Sequence, residues 1–128
     1  MEAVDIVLSA SDDGTAKVWS AETGECMQTL SGHGDSATSA VFSPDGSSVL
    51  TAFEDCTAKV WSAETAECTQ TLSGHKEFVC SAVFSPDGSS VLTASDDGTP
   101  KIWSAGTGEC TQTLSGHEGV VRSAVFMH

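Results

Sequence analysis

The chain has 128 residues, and 18 aspartates and glutamates against five lysines and arginines give it a formal charge of −13. Such a polyanion repels nucleic acid and anionic membranes, so we expect neither as a partner and favour a protein or peptide, with basic ones the better fit. No apolar run approaches the ~18 residues of a membrane span, and the five cysteines include no C-x-x-C pair that would suggest zinc. We expect an intracellular, cytoplasmic location, with no metal and no cofactor.

The same sequence pattern occurs three times at a spacing of 42 residues. The units are 7–48, 49–90 and 91–128, and the first two differ at 11 of their 42 positions. Self-similarity at this period indicates an array of one supersecondary unit, so residues 1–128 are expected to form one repeat segment.

The predicted elements of a unit are short strands separated by tight turns. In one copy they are, in chain order, a strand over 81–84, the turn Ser85-Pro86-Asp87-Gly88, a strand over 91–94, a turn at 96–98, a strand over 101–103, a turn at 107–108 and a strand over 110–114. Proline presets φ in the first turn, and glycine is free to take φ > 0. Each unit therefore predicts one four-stranded antiparallel sheet that must stack on its neighbours.

Residues 7–126 resemble the WD-repeat β-propeller family. The resemblance rests on the period, on the Gly-His pairs at 32–33, 74–75 and 116–117, on the tryptophan that closes the third strand, and on an aspartate six residues before it. One departure is systematic, because the dipeptide that names the family is Trp-Ser in all three copies. The resemblance implies an all-β fold of β-propeller blades, three per chain, that form an incomplete ring unless chains assemble.

The resemblance also implies a buried polar network of histidine, serine or threonine, aspartate and tryptophan. Histidine can bridge the carboxylate and the hydroxyl, and the hydroxyl can reach the indole N–H, so each buried polar group gains a partner. The hydroxyl column is 9/51/93, since the column two residues on contains Phe53. The expected networks are Ser9, Asp13, Trp19 and His33; Thr51, Asp55, Trp61 and His75; and Thr93, Asp97, Trp103 and His117.

Serine, histidine and aspartate together could also form a hydrolase triad. Against catalysis, the set occurs three times at one spacing, two copies use threonine, and the chain has no Gly-x-Ser-x-Gly elbow. We therefore expect no enzymatic activity. Acid pairs such as Asp12-Asp13 could suggest calcium, but the chain has no Asp-x-Asp-x-Asp-Gly loop.

Each Gly-His pair is followed by a segment of five residues, at 34–38, 76–80 and 118–122. Five of the 11 differences between the first two copies fall in this segment, at 34–38 against 76–80. By resemblance they lie on the face of a propeller where partners dock. We call them the top face, together with the acids Asp12, Glu54 and Asp96. The alternative is drift in a tolerant loop. The residues expected to contact a partner are Asp12, Ser36, Thr38, Glu54, Phe78, Cys80, Asp96, Val120 and Arg122.

These features favour a non-enzymatic scaffold that binds a protein or peptide on the top face. The alternative is a self-assembling structural module, or a fragment of a larger WD-repeat protein, with no separate ligand. The near identity of the copies favours this alternative, because equal faces offer little partner-specific variation.

The phase of the repeat gives an expectation about assembly. The sequence opens on a second strand and stops after a first strand, Ser123–Phe126. Three blades cannot close a ring, since closure would need about 120° between neighbours, whereas propellers typically have about 4–8 blades. Two chains would supply six blades and three chains nine, with the last strand of one chain completing the first blade of another.

Two positions conflict with the expected local structure. Cys56 replaces the glycine of the other copies in a turn where φ > 0 is expected. Pro100 replaces an alanine at the start of a third strand, where it cannot donate to a ladder.

Overall fold

The computed structural model describes residues 5–31 and 35–127, and within these ranges it contains eleven β-strands and no helix. The all-β prediction is confirmed. The strands are β1 (Ile6–Ala10), β2 (Thr15–Ser20), β3 (Cys26–Ser31), β4 (Ala37–Phe42), β5 (Ser48–Phe53), β6 (Thr57–Ser62), β7 (Cys68–Ser73), β8 (Val79–Phe84), β9 (Ser90–Ser95), β10 (Lys101–Ser104) and β11 (Cys110–Thr113).

The strands form three antiparallel sheets in which sequence neighbours are also spatial neighbours. The first sheet has three strands, β1 to β3, and the second and third have four each, β4 to β7 and β8 to β11. The sheets are arranged as propeller blades that do not close into a ring. The expected strand over Ser123–Phe126 is not formed, because a lone segment has no neighbouring strand with which to make ladder hydrogen bonds.

The tight turns are held by aspartates that accept hydrogen bonds from their own loops. The Asp45 carboxylate accepts from the Ser47 amide at 2.9 Å and from the Ser43 hydroxyl at 2.8 Å, and Asp87 repeats this arrangement with Ser89 and Ser85. Hydrogen bonds from the Ser47 amide and hydroxyl lower the pKa of Asp45 to about 2. These loops join the first and second strands of each four-stranded sheet.

One apolar core lies between each pair of neighbouring sheets. Successive residues of a strand point to opposite faces, so Val49 faces the first sheet and Leu50 faces the third. The core between the first two sheets contains Ala16, Leu30, Ala37, Val49, Phe53 and Trp61. The core between the second and third sheets contains Leu50, Ala52, Ala58, Val60, Leu72, Val79, Ala82, Val91 and Trp103.

The two irregular positions have visible effects on the backbone. Cys56 adopts a φ of 76°, close to the 88° of Gly14 and the 85° of Gly98, so a side chain occupies a left-handed turn position. Pro100 precedes β10, which begins only at Lys101 and has four residues where β2 and β6 have six. A proline without an N–H cannot extend the ladder in that direction.

Candidate functional site

The most complete polar network lies in the third sheet and joins four side chains. The indole Nε1 of Trp103 donates to Thr93 Oγ1 at 2.9 Å, and that hydroxyl lies 2.6 Å from His75 Nε2. The Nδ1 atom of His75 lies 2.8 Å from Asp97 Oδ2. A neutral His75 with its proton on Nδ1 satisfies every member, because the carboxylate accepts from Nδ1 while Thr93 donates to Nε2.

This network combines residues from two repeat units, which corrects the grouping read from the sequence. His75 was expected to join Thr51, Asp55 and Trp61 of its own unit, but it bonds Thr93 and Asp97 of the following unit. The physical reason is that residues 74–78 lead into β8, the first strand of the third sheet, so the histidine enters that sheet rather than the second.

The first and second sheets contain the corresponding tryptophan–hydroxyl bonds. Trp19 Nε1 donates to Ser9 Oγ at 2.9 Å, and Trp61 Nε1 donates to Thr51 Oγ1 at 2.8 Å. The aspartates of these two sheets bond within their own turns. The carboxylates of Asp13 and Asp55 each accept hydrogen bonds from the amide and the hydroxyl of the threonine two residues on. His33 lies outside the described residues. His117 is exposed and does not join Thr93, because His75 occupies that position.

Gly74, the glycine before His75, leaves room for the Trp103 side chain of this network. A Cβ atom on Gly74 would lie 3.2 Å from Cη2 of Trp103, which is tighter than an ordinary van der Waals contact. The ring centroids of His75 and Trp103 lie 6.0 Å apart. Gly74 therefore packs directly on Trp103, and a larger residue at this position would push the tryptophan or the histidine out of place.

The electrostatics of the network favour a neutral histidine beside an ionised carboxylate. Burial would raise the pKa of Asp97, but hydrogen bonds from the Thr99 hydroxyl, the Lys76 amide and His75 hold it well below its ordinary value. Burial lowers the pKa of His75, and the hydrogen bond to Asp97 offsets this only in part. Every polar atom in the set is committed to a neighbour, so the arrangement fixes the turn and supports a structural role.

Hydrogen bonds place the described variable segments of the top face beside an acid of the same sheet or of the preceding one. The Glu54 amide donates to the Ser36 carbonyl and the Asp96 amide donates to the Phe78 carbonyl, each at 3.0 Å. The Ser36 hydroxyl donates to the Asp12 carbonyl at 3.3 Å. The acids before the network aspartates therefore lie beside the variable segments.

The described top-face residues differ in how freely they face solvent. Phe78 and Val120 are 44% and 49% exposed, and Arg122 is exposed as well. The Thr38 hydroxyl instead donates to the Val79 carbonyl at 2.6 Å and so links β4 to β8. The Thr38 residue is itself exposed, so it stays among the residues expected to contact a partner.

Cys80 is held by an acid of the top face. Its thiol lies 2.9 Å from Asp96 Oδ1 and donates to it. Burial and the bond to Asp96 raise the pKa of Cys80 to about 11, although the positive charge of Arg122 acts in the opposite direction. The thiol therefore stays protonated at neutral pH and is a poor nucleophile.

Several contacts between sheets were not anticipated from the sequence. The amide nitrogen of Gln28 donates to the Glu64 carbonyl at 3.0 Å, and that of Gln70 donates to the Gly106 carbonyl at 2.7 Å. Each glutamine thus joins an outer strand to the turn of the next sheet. The sequence does contain a signal for these contacts, which is a glutamine at the same position of every repeat. A polar residue present in the outer strand of each copy points to a hydrogen-bond partner that also recurs.

The described residues contain no group of three or more histidine, cysteine, aspartate or glutamate side chains placed to hold a metal ion. The same part of the chain has no helix long and apolar enough to cross a membrane.

The fold and the repeated networks define a protein built from WD-repeat blades. The family model described as "WD domain, G-beta repeat" matches residues 3–20, 24–62 and 66–104, and the chain belongs to that family. The resemblance read from the sequence is therefore confirmed. WD repeats generally serve as protein-interaction scaffolds and are generally non-enzymatic.

One curated relative is "Coatomer subunit beta'-2" of Arabidopsis thaliana, which is 44% identical over 39 residues. The match covers 30% of this chain and 4% of the relative, so the chain spans only a small part of that protein's length.

Proposed function

We propose that the chain is a non-enzymatic interaction scaffold that binds a protein or peptide on its top face. The observation that carries this proposal is the exposure of Phe78, which lies in the loop leading into β8 of the third sheet. Most other large apolar side chains of the second and third sheets are buried or partly buried, whereas Phe78 is 44% exposed. Aromatic residues and arginine are the types that anchor interfaces, and Arg122 belongs to the same face.

The charge of the top face favours a basic partner. Its segments and preceding acids contain six carboxylates against two basic residues, which are Asp12, Asp35, Glu54, Glu77, Asp96 and Glu118 against Lys76 and Arg122. Complementary charge speeds encounter and selects partners more than it adds affinity. We therefore propose a peptide that places an apolar side chain against Phe78 and lysine or arginine side chains over the surrounding acids, in an intracellular setting.

The test uses fluorescence polarisation with a labelled peptide of alternating lysine and leucine, and the matching glutamate–leucine peptide as the charge control. Phe78→Ser introduces the residue of the first copy at the same column, so the backbone is known to accept it. We expect this variant to weaken binding of the lysine peptide about tenfold or more. Met27→Thr, which changes another exposed apolar residue to that of its sister copies, should leave binding unchanged.

Both substitutions keep the net charge, so general attraction of a basic peptide to an acidic protein cannot explain a difference between them. Equal binding by the wild type, Phe78→Ser and Met27→Thr would show that the top face is not the site.

A second candidate is a self-assembling structural module, or a segment of a larger WD-repeat protein, with no separate ligand. The exposure of Val7 favours it, because the equivalent Val49 and Val91 are fully buried against a neighbouring sheet. Self-association by a chain that binds neither peptide would support this candidate over the scaffold.

A further inference from the structure

A small polar hollow lies at the rim of the third sheet, on the side that faces the second. Lys101 precedes Trp103 by two residues, so both side chains point from β10 toward the second sheet, where Trp103 enters the shared core. The hollow has a volume of about 240 Å³. Pockets for drug-sized ligands measure about 300–1,000 Å³, so this one suits a single small group. Its lining residues are Gly74, Lys76, Asp97, Thr99, Lys101 and Thr113.

Positive charge is concentrated in this hollow. Lys76 and Lys101 are two of only five basic residues in a chain that has 18 acids. Within residues 5–31 and 35–127, the one direct contact between a basic side chain and a carboxylate joins His75 to Asp97. Both lysine ammonium groups of the hollow therefore lack a carboxylate partner in the described chain.

Asp97 is the one acid that lines the hollow, and its oxygens already have partners. Oδ1 accepts from the amide and the hydroxyl of Thr99, at 2.9 and 2.7 Å. Oδ2 accepts from His75 Nδ1 at 2.8 Å and from the Lys76 amide at 3.0 Å. The carboxylate is thus held in the turn and the polar network, and two positive charges stand against its single negative charge.

Several hydrogen-bond donors remain available to a ligand. Lys101 Nζ donates to Thr113 Oγ1 at 2.9 Å, which leaves two of its three N–H groups. The Lys76 side chain carries three more on an exposed residue. The pKa of His75 is lowered mainly by burial, and the charge of Lys101 acts in the same direction, so this charge reaches the base of the hollow.

The pair of lysines is specific to the third sheet. Lys17 and Lys59 are the equivalents of Lys101, and each donates to a threonine in the same way, at 3.0 and 3.1 Å. The column of Lys76, however, contains Gly34 and Glu118 in the other copies. Lys59 is also only 3% exposed, whereas Lys101 is partly buried. A second positive charge therefore accompanies an accessible lysine at this one place.

We propose that the lysine hollow, lined by Lys76, Lys101 and Thr113, binds a phosphate group. A phosphate monoester carries close to two negative charges at neutral pH and has three strong acceptor oxygens, which match two ammonium groups and their donors. A carboxylate carries one charge and would leave one lysine unmatched. The phosphate is either free inorganic phosphate or the phosphoryl group of a phosphoserine in a peptide.

The inference does not rest on the peptide site at Phe78. Phe78→Ser should leave phosphate binding unchanged, and loss of lysine–leucine peptide binding would not affect it. Either proposal can fail while the other holds.

The test follows the backbone amide signals of the ¹⁵N-labelled 128-residue chain by NMR. Inorganic phosphate is added at constant ionic strength, with sodium chloride as the control for salt. A second titration uses a glycine-flanked phosphoserine peptide and its unphosphorylated form. We expect saturable shifts at Lys76 and Thr99 with phosphate or the phosphopeptide, and none with the unphosphorylated peptide.

Three variants that each remove one positive charge locate the site. Lys76→Gln and Lys101→Gln should each weaken binding about tenfold or more, because each removes a charged hydrogen-bond donor. Lys17→Gln is the matched control, since it removes the same charge and the same lysine–threonine bond from the first sheet, and it should leave binding unchanged. If circular dichroism shows that Lys101→Gln does not fold, Lys76→Gln decides, because its side chain is exposed.

The two titrations also distinguish the sources of the phosphate. Tighter binding of the phosphopeptide would assign the hollow to a phosphorylated partner, and equal dissociation constants would assign it to phosphate alone. The proposal is overturned if neither probe gives a saturable shift at the hollow. It is also overturned if Lys17→Gln weakens binding as much as Lys76→Gln, since the effect would then be one of overall charge.

Discussion

The polar network of the third sheet makes a specific prediction about Thr93→Val. Valine has nearly the same shape as threonine, so the substitution removes the hydroxyl without opening a cavity. That hydroxyl accepts from Trp103 Nε1 at 2.9 Å and lies 2.6 Å from His75 Nε2. Its loss leaves two buried polar groups without this partner.

The expected cost follows from the burial of these groups. Thr93 and Trp103 are at most 1% exposed, and the His75 side chain is fully buried, so water does not readily replace the missing partner. Each buried group left unsatisfied costs about 1–3 kcal/mol, and two such groups give an expected loss of about 2–6 kcal/mol in the free energy of unfolding.

The matched control is Ser9→Ala in the first sheet. Ser9 accepts the same tryptophan bond, from Trp19 at 2.9 Å, but both residues are only partly buried, so water can take its place. We expect a loss of about 1 kcal/mol or less. Urea titrations followed by far-ultraviolet circular dichroism, at one protein concentration, give both values. Equal small losses for the two variants would refute the reasoning that the third-sheet network is a buried, fully bonded unit.

Two further predictions concern backbone strain and pH. Cys56 and Ala66 have φ values of 76° and 66° at positions where the other copies have glycine, so Cys56→Gly and Ala66→Gly should each raise the free energy of unfolding by about 1 kcal/mol in urea titrations. A loss of stability in both variants would contradict the assignment of strain. Burial lowers the pKa of His75 in the folded chain. As the pH falls below about 6.5, the ordinary pKa of histidine, the unfolded state therefore binds more protons than the folded state. Stability should fall as the pH drops from about 7 toward 5. His75→Gln should flatten this part of the pH profile, and an unchanged slope in the variant would assign the pH dependence to other groups.

Much of the fold was predictable because the repeat shows the same local signals three times. Turn residues, short apolar runs and the tryptophan column are all local properties, and they led to the strands that the structure contains. Ser123–Phe126 is the exception: it repeats the four residues that end β4 and β8, but no strand of the described chain pairs with it. A local signal therefore indicates what a segment can form, while its neighbours determine whether it does.

The composition of the polar network was easier to infer than its pairing. The period identifies equivalent residues, but it does not show where one blade ends and the next begins. A repeat unit counted from the start of β1 groups His75 with Thr51, whereas in the structure His75 bonds Thr93 in the next sheet. The role of Thr38 was also beyond local reasoning, since its bond to the Val79 carbonyl depends on how closely β4 approaches β8.

The solution mass of the purified chain tests most directly the expectation that the blades of more than one chain assemble. Light scattering on a sizing column, over a range of protein concentrations, should show a discrete species of two or three chains. A single species of 13.2 kDa at every concentration would contradict the account. It would show that the exposed apolar side chains at the two ends of the array, such as Val7 and Leu114, are stable in a lone chain.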